Sequence, residues 1–251
     1  MLKGGNFFAE AKTTEFFTED STVKNSVNIG IIGAMEEEVA HLKNIMQLEE
    51  TIKKAAFTFF KGKLFGEDIV VVKSGIGKVA AAICTQILID SFSPKFIINS
   101  GIAGALSDEL EIGDVIAGKN VSYHDVDVTA FGYEKNQLPG MKNIDFGSDE
   151  LLLSEAINLG AKLGKVTTGD IFVADKETKN RIQHETKASC VEMESAAIAH
   201  VCTLNEVSFI IIRSISDKAG ETAEVDFKVN IEKAVESAIK ITEGIIKNVK
   251  L

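Results

Sequence analysis

Ile69-Val70-Val71-Val72-Lys73-Ser74-Gly75-Ile76-Gly77-Lys78-Val79-Ala80 sets the pattern of the chain. Four apolar, β-branched residues read as a buried strand, two glycines permit a tight turn, and a helix-like segment follows to Asp90. The unit recurs on both sides. Strand-like runs at Val27–Ile32, Phe96–Ile98, Val115–Ile116, Val166–Thr168 and Phe209–Ile212 are interleaved with helix-like segments at Glu36–Met46, Lys78–Asp90, Leu151–Leu163, Glu194–Leu204 and Ile231–Val249. This alternation predicts an α/β fold with a central twisted sheet flanked by helices. Phe57–Leu64, followed by Gly66-Glu67 before Ile69, reads instead as a β-hairpin, so the sheet is expected to be mixed.

At 251 residues, with Pro94 and Pro139 both in expected loops, nothing divides the chain into two bodies, and one domain over residues 27–251 is expected. Residues 1–26 are polar and acidic apart from Phe7-Phe8 and Phe16-Phe17, and read as an appendage. A net charge of −10 repels polyphosphate and argues against nucleic acid or an anionic membrane as partner. Cys84, Cys190 and Cys202 are odd in number and lack metal-like spacing, so buried thiols in a reducing cytoplasm are expected. No apolar run approaches the ~18 residues of a membrane span, and the first residues lack a signal-peptide core.

Four strand-to-helix handovers carry chemistry. Gly75-Ile76-Gly77-Lys78-Val79-Ala80 superficially matches a dinucleotide fingerprint, but the next strand is read as ending Asn99-Ser100-Gly101, without the acid that would hold a ribose. A tight turn is the better reading. Gly33-Ala34-Met35-Glu36-Glu37-Glu38 places three acids at a helix start, where the dipole favours them, and at a strand end that faces a ligand crevice in open α/β sheets; one of the three is a candidate general base. Val191-Glu192-Met193-Glu194 offers carboxylates that accept from vicinal sugar hydroxyls. Ile212-Arg213-Ser214-Ile215-Ser216-Asp217 ends a buried strand on a carboxyl group whose proton affinity burial would raise, as protonation of a departing purine requires.

Together with Ser74–Val79 and Tyr123-His124-Asp125-Val126-Asp127-Val128-Thr129-Ala130-Phe131-Gly132-Tyr133, these motifs resemble, in order, those of the bacterial 5′-methylthioadenosine/S-adenosylhomocysteine nucleosidases, of the purine and uridine phosphorylase superfamily. The resemblance runs from about residue 28 to the C-terminal helix. It implies a nucleoside phosphorylase-like fold and hydrolysis of the N-glycosidic bond of these thio-nucleosides, and of 5′-deoxyadenosine, in methionine salvage and the activated methyl cycle. Neither metal nor organic cofactor is implied. By resemblance, Glu38 activates water near Arg213, Glu194 and Met193 hold the ribose, and Asp217, oriented by Ser216, serves N7 of adenine. Phe172 would stack on the base, Val173 would read its edge, and Ala103 and Gly104 would lie against the nucleoside. Met35 joins the substrate-binding set, and Ile76 and Phe227 would line an apolar 5′ pocket. Val128, Phe131 and Pro139 would complete that pocket from the second subunit of a homodimer.

One residue departs from the family pattern: Ile102 stands in Gly101-Ile102-Ala103-Gly104 where a serine is usual. The rival reading on the same fold is a purine nucleoside phosphorylase, whose phosphate the carboxylates at Glu36–Glu38 would repel. A non-catalytic nucleoside-binding or adhesion protein is the rival of another class, and it would need no paired acid and base.

Overall fold

The computed structural model describes residues 26–249, so all but the last residue of the expected N-terminal appendage lies outside the described residues. The strands are β1 (Ile29–Gly33), β2 (Gln47–Lys54), β3 (Phe57–Leu64), β4 (Glu67–Lys73), β5 (Phe96–Ala105), β6 (Val115–Tyr123), β7 (Phe146–Gly147), β8 (Lys162–Thr168), β9 (Cys190–Glu192) and β10 (Ser208–Asp217). The helices are α1 (Glu36–Ile45), α2 (Lys78–Phe92), α3 (Glu150–Asn158), α4 (Lys176–Thr186), α5 (Ser195–Leu204) and α6 (Ala223–Asn248).

All ten strands of the described residues join one mixed sheet, as the hairpin predicted. β3 and β4 pair antiparallel through a turn in which Phe65 (φ 52°) and Gly66 (φ 92°) both take left-handed backbone. β1 lies between β4 and β5, parallel to both. Alternate residues of these strands serve opposite faces. Ile32, Val70, Val72 and Ile97 pack with α2 and α5 residues such as Cys84, Leu88 and Ala197. Ile29, Ile31, Ile69, Val71 and Ile98 pack with Val39 and Leu42 of α1 and Ala238 and Ile245 of α6. Burial on both faces explains why the strands read as continuous apolar runs rather than alternating ones.

The sheet closes on itself at one end. β5 pairs β10, β10 pairs β6, β6 pairs β8, β8 pairs β9, and β9 returns to β5, closing a five-stranded ring from which β1, β4, β3 and β2 extend. β5 does not stop at Gly101 but continues to Ala105, because β10 accompanies it in register from Ser208↔Phe96 to Asp217↔Gly104. The helix expected over Leu151–Leu163 ends at Asn158: Gly160 (φ 99°) turns the chain, and Lys162 onward is β8. α6 begins at Ala223, two turns before the expected Ile231.

Candidate active site

Glu38 sits in the first turn of α1, just beyond the end of β1. Its Oε2 accepts from the backbone N–H of Ala34 (2.6 Å) and Met35 (3.0 Å), and its Oε1 from that of Ile102 on β5 (3.1 Å). The other two acids of the run point away. Glu36 pairs with Lys43 and, at 3.3 Å, with Lys73, and Glu37 is exposed. Only Glu38 is therefore buried, and burial pushes its carboxyl above the usual range against the Arg213 charge and the three amides. At position 102, where the side chain departs from the family pattern, the contact to Glu38 is made by backbone.

Arg213, fully buried on β10, organises the floor. Its Nη2 donates to Glu192 (2.6 Å) and to Asn99 Oδ1 (2.7 Å), and its Nε donates to Ser195 Oγ (3.1 Å). Glu38 lies 3.9 Å from Nη1 and Glu194 3.7 Å from Nη2, so one guanidinium faces three carboxylates. Nη1 has no hydrogen-bond partner among the described residues. Glu192 also accepts from the amides of Glu194 (3.0 Å) and Ser195 (2.8 Å) and from the Thr168 hydroxyl. Glu194 accepts from the Gly77 amide at 2.8 Å, and burial, followed by the Glu192 charge, raises its carboxyl to about 8.

Gly75 (φ 79°) and Gly77 (φ 97°) make the tight turn expected of them. The Gly77 amide goes to Glu194 and the Lys78 amide to Asp170 (2.8 Å), so carboxylates of the protein itself occupy donors that a dinucleotide phosphate would need.

Asp217 ends β10. Its Oδ1 accepts from the Ser216 hydroxyl (2.7 Å) and its Oδ2 from the Ala219 amide (3.0 Å). Burial nonetheless raises its carboxyl, because desolvation outweighs both bonds. Gly104 allows this approach: a Cβ there would lie 2.7 Å from Asp217 Oδ2.

Met35, Glu38, Ile76, Ala103, Gly104, Phe172, Met193, Glu194, Ser216, Asp217 and Phe227 all line one cavity of about 350 Å³. Val173 lines a recess of about 40 Å³ that shares Gly104, Phe172, Met193 and Asp217 with it. The rings of Phe172 and Phe227 meet edge to face at 6.1 Å, giving an apolar wall. Arg213 stands behind the cavity, touching it through Glu38, Glu192 and Glu194. Val128, Phe131 and Pro139 are absent from this lining, and Phe131 is 82% exposed. Sequence reasoning did not single out Asn99, Thr168 and Ser195, whose polar groups tie Arg213 and Glu192 in place. Their positions depend on ring closure, and no local pattern marks them.

A closed mixed sheet with buried carboxylates at the ends of β1, β9 and β10 agrees with what this chain is similar to. The model of the phosphorylase superfamily matches residues 28–247, and the chain belongs to that superfamily. It is 43% identical over 226 residues to the 5′-methylthioadenosine/S-adenosylhomocysteine nucleosidase of Staphylococcus haemolyticus, covering 87% of this chain and 99% of the relative. The nucleosidase of Shewanella sediminis is 45% identical over 216 residues, covering 83% and 94%. The crystal structure of the Neisseria meningitidis nucleosidase with methylthio-immucillin-A superposes with a TM-score of 0.85 at 37% identity, covering 88% of this chain and 99% of that one. Within the superfamily, the chain belongs to the 5′-methylthioadenosine/S-adenosylhomocysteine nucleosidase family.

Proposed function

We infer that this chain hydrolyses the N-glycosidic bond of 5′-methylthioadenosine and S-adenosylhomocysteine, releasing adenine. The observation that carries the chemistry is the pairing of Glu38 and Asp217, two buried carboxyl groups from different strand ends, on one cavity of about 350 Å³. Asp217, its proton affinity raised by burial, delivers a proton to N7 as the C1′–N9 bond breaks and its electron pair passes to adenine. Glu38, which accepts from three amides and faces Arg213, takes a proton from water as the water oxygen bonds to C1′. Its charge also stabilises the oxocarbenium-like ribosyl centre. Glu194 accepts from the ribose hydroxyls beside Met193, while Ala103, Gly104, Phe172 and Val173 enclose the base. Met35, Ile76 and Phe227 form the apolar 5′ subsite, in which a thioether loses little hydration.

A phosphorylase reading is disfavoured, because Arg213 is already faced by Glu38, Glu192 and Glu194 and the same carboxylates repel phosphate. The single domain over residues 27–251 acts as a homodimer in the cytoplasm, with Val128, Phe131 and Pro139 of each subunit reaching the 5′ subsite of the other. Three observations agree with this: those residues leave their own cavity unlined, all three cysteines are free thiols, and no described helix is long and apolar enough to cross a membrane.

The decisive assay measures adenine release from methylthioadenosine in phosphate-free buffer. Wild type is expected to turn over, and Glu38→Gln and Asp217→Asn each to lose roughly 10²–10⁴-fold in kcat. Release that requires added phosphate would overturn the hydrolytic reading.

A further inference from the structure

Glu224, Phe227 and Lys228 occupy positions i, i+3 and i+4 at the start of α6, a spacing that puts them on one helix face, and all three line the catalytic cavity. Phe227 faces inward against Phe172, while Glu224 and Lys228 are exposed, with side chains 73% and 68% accessible, and pair at 2.6 Å. They form the mouth on the side of the apolar 5′ subsite. Among the described residues lining the cavity, the acids Glu38, Glu192, Glu194, Asp217 and Glu224 far outnumber the cations, and Lys228 is the one lysine or arginine.

The two substrates of the proposed reaction differ only beyond the 5′ sulfur. Methylthioadenosine ends in a methyl group, whereas S-adenosylhomocysteine ends in an α-amino acid carrying one carboxylate and one ammonium. A carboxylate entering this cavity gives up hydration without a compensating charge unless Lys228 receives it. We propose that the Glu224–Lys228 pair is a specificity-determining zwitterion clamp for amino-acid-bearing 5′ substituents, Lys228 pairing with the substrate carboxylate and Glu224 with its ammonium. An exposed lysine–glutamate pair is weak, so opening it to exchange partners costs little. The one pair within the protein is thereby replaced by two pairs between protein and substrate. This inference rests on the proposed nucleosidase activity and refines its substrate selection.

The test compares kcat/KM for S-adenosylhomocysteine and methylthioadenosine in wild type, Lys228→Met and Glu224→Gln. Both substitutions are at exposed positions and keep the helix. The ratio of the two values is expected to fall roughly three- to tenfold in each variant, mainly through KM for S-adenosylhomocysteine. In wild type the ratio should also decline between 0.05 and about 0.5 M salt, with the decline lost in the variants. A ratio within twofold of wild type in either variant overturns the assignment of that residue. Absence of turnover on both substrates in wild type would instead refute the nucleosidase reading itself, so the two failures are distinct.

Discussion

Glu194 holds its proton far longer than an exposed glutamate because burial strips water from its carboxylate, and the neighbouring Glu192 charge adds to this, against the opposing pull of Arg213. That has a consequence for stability. In the unfolded chain the group ionises above its ordinary value of 4.5, whereas in the folded protein it stays protonated up to about 8. Between those values the native state binds more protons, so folding free energy falls as pH rises; below both, the group is protonated in either state and contributes nothing. The loss is on the order of a few kcal/mol by pH 9. Glu194→Gln removes the ionisation and keeps an oxygen to accept from the Gly77 amide. Its melting temperature is expected to exceed that of wild type by roughly 5 °C at pH 9, with the gap closing towards pH 5. Thermal scans across that range decide it, and a pH-independent gap would show that Glu194 does not carry the linkage. The variant should also bind nucleoside less tightly, since site carboxylates trade stability for function.

At the scale of elements, β5 shows why part of the site is readable in sequence and part is not. Acids placed just after apolar runs, Glu36–Glu38, Glu192 with Glu194, and Asp217, are a local pattern, but choosing Glu38 among the three acids of its run took the family resemblance. By contrast, β2 and α4 left no such trace. β2 is an almost wholly exposed edge strand rich in charge, and α4 buries only Ile182 and Thr186, so neither has an apolar period to read. Gly101 reads in sequence only as a strand end and a neighbour of Ile102, yet a Cβ there would collide with Arg213 Nη1 and Glu38 Oε1, so the strand passes beneath the buried pair only as glycine. Because Arg213 is fully buried and Glu38 would have to give up its amide contacts to make room, Gly101→Ala is expected to destabilise by about 1–3 kcal/mol and to lower kcat/KM at least roughly a hundredfold. Gly147→Ala, where an added Cβ meets nothing within 4 Å, is the control and should change neither. Denaturant melts and steady-state kinetics on the two variants test this, and full activity in Gly101→Ala would mean that the Arg213–Glu38 geometry is not needed for turnover.

For the whole molecule, the layered α/β order follows from local apolar runs, but closure of the ring does not, because it depends on pairings such as Ser208↔Phe96 and on the three-residue β9, which no periodicity announces. The outer surface is harder still to read. Ile76, Val79 and Ile83 around the start of α2 are 59%, 71% and 47% exposed, and Phe131 is 82% exposed. Lys78, 2.6 Å from Asp125, ties the head of α2 to the segment that leads to Phe131, so these apolar groups belong to neighbouring surface. Exposed apolar area of this kind is suited to an interface, and the proposed homodimer would bury it while bringing Phe131 over the partner's 5′ subsite. Phe131→Asp places a charge in that interface without disturbing the subunit's own core, since the side chain makes little contact within it. Sedimentation is expected to show a dimer for wild type and a shift towards monomer for the variant, with its KM for methylthioadenosine raised at least roughly tenfold and its thermal unfolding at high protein concentration little changed. If association and KM respond together and both recover as concentration rises, the subsite is shared between subunits. A variant that becomes monomeric yet retains wild-type KM would show that each chain binds its nucleoside alone.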